Sequence, residues 1–143
     1  MLTRRCVAQG WRVAESGRNL VGEFRIPVTK DQWKAQHLNA NQRLHHQARN
    51  KKTQWWRALA AIQCRNARIP GLDRAHIEVW FRFPDNTRRE VANLQPTSKA
   101  IVDGLVDAGL LPDDKDECCV GPDNRRTWPN GPHEVVVRVF SWD

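Results

Sequence analysis

The sequence predicts one small α/β (α+β) domain, with a mixed β-sheet packed by helices. Two observations lead there. Segments of period-two and period-3.6 hydrophobicity succeed one another in the order strand, helix, strand, helix, strand, with no internal repeat. The length, 143 residues, suits a single domain that buries about two thirds of its unfolded surface.

Residues 1–20 show no core pattern and are expected to form a loosely ordered extension, leaving 21–143 as the domain. Residues 22–28 alternate apolar and polar as a strand does, and Pro27 confines that strand to an edge. The polar, Asn- and His-rich stretch 37–47 reads as a loop. A helix is predicted over 48–67, with Trp56, Leu59, Ala60 and Ile62 as its core stripe and Arg49, Lys51, Lys52, Arg57 and Arg65 on its other side. Pro70 and Gly71 close it. Residues 76–83 form a second strand that places Ile77, Val79, Phe81 and Phe83 on one face. Pro96 opens a helix whose buried stripe is Ile101, Val102, Leu105 and Ala108, and Gly109 ends it. Residues 121–132, rich in Gly, Pro and Asn, read as a loop before a buried strand over 133–140.

Composition narrows the function. No apolar run is long enough to span a bilayer, and the first residues lack the apolar core of a secretory signal, so a cytoplasmic location is expected with no membrane partner. The four cysteines, Cys6, Cys64, Cys118 and Cys119, have no CxxC spacing and read as reduced thiols rather than a zinc site. The net charge of +7 points to a polyanion. Its distribution is uneven. Residues 41–74 carry Arg43, Arg49, Lys51, Lys52, Arg57, Arg65, Arg68 and Arg74 against Asp73 alone, whereas residues 103–117 carry Asp103, Asp107, Asp113, Asp114, Asp116 and Glu117 against Lys115. Carboxylates gathered in a basic protein repel phosphates unless a cation stands between them.

The stretch RREVANLQPTSKAIVDGLVDAGLLPDD, residues 88–114, holds the candidate chemistry. Lys99 and Asp103 share a helix face at i,i+4. Glu90 is expected just past a strand end, and the helix and its turn could return Asp114 towards it. Carboxylates around Mg²⁺ activate water and stabilise a leaving oxygen in phosphodiester hydrolysis. A lysine can stabilise the developing charge. Spacing alone equally allows a solvated Lys99–Asp103 pair and an ordinary Asp113–Asp114 turn.

This stretch resembles the central motif of the RusA family of Holliday junction resolvases. Arg88 and Arg89 match its basic lead, Glu90 its first acid, Asn93-Leu94 its Asn-Leu, Lys99, Asp103 and Leu105 its helix, Gly109 the helix end, and Asp113-Asp114 the closing pair. The upstream LNANQRLHHQARNKKTQWWR is similar to the family's Asn-rich loop and basic first helix. The resemblance covers about residues 21–143. It implies a homodimeric, Mg²⁺-dependent endonuclease (Mn²⁺ substituting) that cuts four-way junctions and other branched DNA, with no organic cofactor. It assigns Glu90 and Asp114 as metal ligands, Lys99 as the essential lysine, and Arg43, Lys51, Lys52, Arg88, Arg89, Arg125 and Arg126 to DNA. Two departures stand out. The family's second acid falls on Ala92, for which Asn93 or Asp103 would have to substitute, and Pro96-Thr97-Ser98 look like an insertion before Lys99. Ala92 therefore keeps open a branched-DNA-binding protein that cuts slowly or not at all. A basic phage protein that binds a host partner is a third expectation. Trp55, among basic residues, is a candidate for base stacking, whereas Trp56 is expected in the core. His45 and His46 are candidate phosphate contacts.

Overall fold

The computed structural model describes residues 18–142. Its elements are β1 (Arg18–Pro27), α1 (Lys30–Gln36), α2 (His46–Ala67), β2 (Ala75–Arg82), a 3₁₀ turn (Val91–Leu94), α3 (Gln95–Asp107), β3 (Cys119–Arg126) and β4 (Glu134–Trp142). The strands make one mixed sheet in the order β1-β4-β2-β3. β4 pairs antiparallel with both β1 and β2, and β2 pairs parallel with β3. The expected α+β domain with a mixed sheet is what the chain forms.

Ile77, Val79 and Phe81 of β2 are at most 1% exposed, as their period-two spacing predicts. They join Val135, Val137 and Val139 of β4, Trp56 and Ala60 of α2, and Ile101 and Leu105 of α3 in one core. Each such aliphatic or aromatic side chain contributes about 1.5–3 kcal/mol through burial. α2 buries Trp56, Ala60, Ala61 and Cys64, while Leu59 packs at the core margin. Ile62, expected in that stripe, is half exposed, because the buried face is rotated towards Ala61 and Cys64. Gly104 allows α3 to lie on α2: a Cβ there would meet the Arg57 carbonyl and lie 2.9 Å from Ala60 Cβ.

Four further expectations need correction. β1 begins at Arg18, so the domain starts before residue 21; residues 1–17 lie outside the described residues, as does Cys6. As expected, β1 is an edge strand with Pro27 at its end. α1 was not expected, although Thr29 and Gln32 carry its start signal: the Gln32 amide donates to Thr29 Oγ1 at 3.0 Å and the Thr29 amide to Gln32 Oε1 at 2.9 Å, a capping box. The stretch 121–132 is loop only in its later part, since its first residues belong to β3. Glu90 does not follow a strand end directly; β2 stops at Arg82 and Glu90 caps the 3₁₀ turn.

Candidate functional site

α3 runs to Asp107 and is stopped by Gly109, whose φ of 84° is left-handed. The Leu110 amide donates to the Leu105 carbonyl and the Gly109 amide to the Val106 carbonyl, both at 3.0 Å, closing a Schellman motif. Leu110 and Leu111 then bury at 2% exposure. This anchored exit reverses the chain at Pro112 and brings Asp113-Asp114 back alongside the helix. The Lys99 ammonium consequently donates to Asp103 Oδ1 at 3.0 Å and also to Asp114 Oδ2. Lys99, Asp103 and Asp114 are thus gathered, with side chains 50%, 25% and 36% exposed. Partial burial pulls the Lys99 pKa down, but the hydrogen bonds it donates to Asp114 and Asp103 outweigh that and leave the ammonium above its ordinary value. The Asp114 carboxyl is held below its ordinary range by Lys99 first and by Asp113 second.

The supposed insertion is what seats Lys99. Thr97 and Ser98 are fully buried in the first turns of α3. Thr97 Oγ1 accepts from the Leu38 amide at 2.9 Å and donates to the Leu38 carbonyl at 2.7 Å. Ser98 Oγ donates to Asn124 Oδ1 at 2.5 Å, and Asn124 Nδ2 to the Val91 carbonyl at 2.9 Å. These bonds tie the Asn-rich loop, the 3₁₀ turn and β3 to one helix end.

Glu90 lies on the other side of the 3₁₀ turn. Its carboxylate is 64% exposed and meets Arg88 at 3.4 Å. It lines a cleft of about 270 Å³ together with Arg88, Arg89, Asn93, Asn39, Trp33 and His37. The Asn93 carbonyl accepts from the Ala40 amide at 2.8 Å, which holds the two Asn-bearing segments together. His37 Nδ1 donates to the Trp33 carbonyl at 2.9 Å, and its ring stacks on Trp33. Among the described residues no three His, Cys, Asp or Glu side chains form a group able to hold a metal ion. Glu90 is therefore not clustered with Asp103 and Asp114, and Ala92 is exposed on the turn between them.

The basic candidates fall in several places. Arg43 and Lys51 are exposed, Lys52 partly so. Arg57 is engaged by Asp107 through two hydrogen bonds. Arg125 and Arg126 were expected in a flexible loop but belong to β3, and being adjacent in a strand they point to opposite faces. Arg125 approaches Glu78 at 3.7 Å. Arg126 donates to the Asp85 and Thr87 carbonyls at 2.9 and 3.0 Å. Arg89 donates to Asp85 Oδ1 at 2.8 Å. Trp55 is half buried against Trp56 and the core, and His45 caps α2 by accepting from the Gln47 amide at 3.2 Å. Both have structural work. Cys64 and Cys119 are buried free thiols, and burial pushes Cys119 up to about 11.

Sequence reasoning missed a polar network on the sheet face away from the helices. Glu78, 5% exposed, accepts from Arg18 at 3.1 Å and from Trp80 Nε1 at 3.0 Å, and His76 Nε2 lies 2.6 Å from Asp123. The alternation of His76, Glu78 and Trp80 with the apolar residues of β2 was the available signal.

No protein-family model matches the chain, and no curated protein matches it. Among the described residues no helix is long and apolar enough to cross a membrane.

Proposed function

We propose that the protein is a Mg²⁺-dependent endodeoxyribonuclease that cuts four-way junctions and related branched DNA in the cytoplasm. One observation carries this reading: Lys99, Asp103 and Asp114 converge from a helix and its return turn, inside the acidic stretch of a basic protein. The resemblance to RusA resolvases adds the substrate class and the order of the motif.

The donor set suits a hard cation, since Asp114 and Asp103 present partly exposed oxygens and Mg²⁺ retains several waters. Those two carboxylates would hold it; Glu90 and Asn93 face the neighbouring cleft and would act from there. A bound Mg²⁺ supplies Lewis acidity and a bound water of lowered pKa. Lys99 then turns its ammonium from Asp114 to the phosphate and stabilises the charge that develops on the non-bridging oxygens. Arg88, exposed beside Glu90, binds a flanking phosphate, and Lys51, Lys52 and Arg43 bind the backbone of an arm. A junction has approximate two-fold symmetry, so a homodimer presents one such site to each of two strands.

The second reading is a protein that binds branched DNA without cutting it. Exposed Ala92 in place of an acid, together with a Glu90 that stands apart from Asp103 and Asp114, favours it. Incubating a labelled synthetic junction with the protein, with and without Mg²⁺, separates the two: the nuclease releases nicked arms only with the metal, whereas the binder shifts the junction and releases none.

A further inference from the structure

We propose that Trp128 is a stacking platform for an unpaired base of the bound DNA, an inference that rests on the branched-DNA reading above. Among the described residues, the large hydrophobic side chains that stand exposed are Leu20, Ile62 and Trp128, and Trp128 is the aromatic one, at 59%. Its indole lies on the Arg126 guanidinium, 4.1 Å from the ring centre. Arg126 lies in turn over Phe83 at 5.0 Å, and the Arg89 guanidinium over Phe83 at 4.2 Å. Phe83 is fully buried. The indole is therefore the outermost layer of a column of rings and guanidinium groups whose base is the core.

The mount is firm. The Thr127 amide donates to the Phe81 carbonyl at 2.8 Å, the Gly131 amide to the Phe83 carbonyl at 3.2 Å, and Asn130 Nδ2 to Asn86 Oδ1. Arg126 fastens the same assembly to the segment that leads into Arg88, Arg89 and Glu90. Desolvation and the neighbouring Arg89 both press on the Arg126 charge. An anionic strand relieves that crowding, and its bases have a π-face to offer the indole. Base–aromatic stacking of this kind tolerates any base but requires one that is not sealed inside a duplex. Trp128 would thus favour branched or single-stranded DNA over continuous duplex.

The test uses a four-way junction carrying 2-aminopurine beside the branch point, a blunt duplex of the same length, and the full chain as wild type, Trp128→Ala and Trp128→Phe. Junction affinity should fall about five- to hundredfold in Trp128→Ala and be largely kept in Trp128→Phe. The 2-aminopurine signal should respond to the wild type and to Trp128→Phe but not to Trp128→Ala, with duplex affinity equal in all three. Equal junction affinity and fluorescence response in Trp128→Ala overturns the platform and leaves the nuclease reading intact. An equal loss on junction and duplex also overturns it. A wild type that does not bind junctions overturns that reading, and the platform with it.

Discussion

Thr97 and Leu38 hold each other through both backbone groups of Leu38, across a separation of 59 residues. One buried hydroxyl satisfies an amide and a carbonyl that would otherwise be left without partners in a dry environment. The bond pair fixes α3 against the Asn-rich loop, and so sets where Lys99 projects relative to Asn39 and Asn93.

Replacing Thr97 by Val keeps the shape and removes both bonds. Orphaning a buried amide and carbonyl costs about 1–3 kcal/mol for each group, so a loss of about 2 kcal/mol or more is expected. Urea unfolding measures it, with Thr97→Ser as the control that should recover most of the loss. A Thr97→Val midpoint equal to the wild type's would contradict the assignment.

The acid limb of stability follows from three carboxylates. Arg89, then the Thr87 amide, hold Asp85 down at about 2 against an ordinary 3.8. Arg57 lowers Asp107, and Lys99 lowers Asp114. A depressed carboxyl stabilises the fold above its unfolded pKa, and the benefit disappears as pH falls through the folded one. Stability should therefore decline between about pH 4 and pH 2. The Asp85 side chain is about half exposed to solvent, so the change is small and screened by salt. Thermal melts across that range should show a shallower acid limb in Asp85→Asn; an identical limb would remove Asp85 from the explanation. Lys99 acts in the opposite sense. Its raised pKa stabilises the fold below about 10.5, and that contribution fades at higher pH.

Much of this architecture was legible in the amino-acid order. The stripe Ile77, Val79, Phe81 and the α3 stripe Ile101, Val102, Leu105 are periodic and lie where periodicity puts them, because a single dry face decides both. The convergence of Lys99 with Asp103 was local, one helical turn. That of Lys99 with Asp114 depended on the Gly109 stop, which the sequence also marks. What escaped was non-local. β3 contains Gly121 and Pro122, poor strand formers, and becomes a strand only because β2 offers it a parallel partner. α1 spans only 7 residues, too few for hydrophobic periodicity to declare itself. The separation of Glu90 from Asp114 depends on how the segment before the 3₁₀ turn runs, and no spacing rule reports that.

Electrostatic binding to DNA should show in salt dependence. Each duplex phosphate contact contributes about 0.9 to the slope of log affinity against log salt. The double variant Lys51→Ala, Lys52→Ala should flatten the slope by roughly one to two units while leaving the fold intact, since Lys51 is exposed and Lys52 partly exposed in the first turns of α2. Fluorescence anisotropy at several salt concentrations reads it. An unchanged slope would move the DNA path off α2.

Cleavage of a synthetic four-way junction in the presence and absence of Mg²⁺, by wild type and Asp114→Asn, bears most directly on the central proposal. Paired nicks that require the metal and vanish in Asp114→Asn are the predicted result; a wild type that binds the junction and yields no Mg²⁺-dependent product would contradict it.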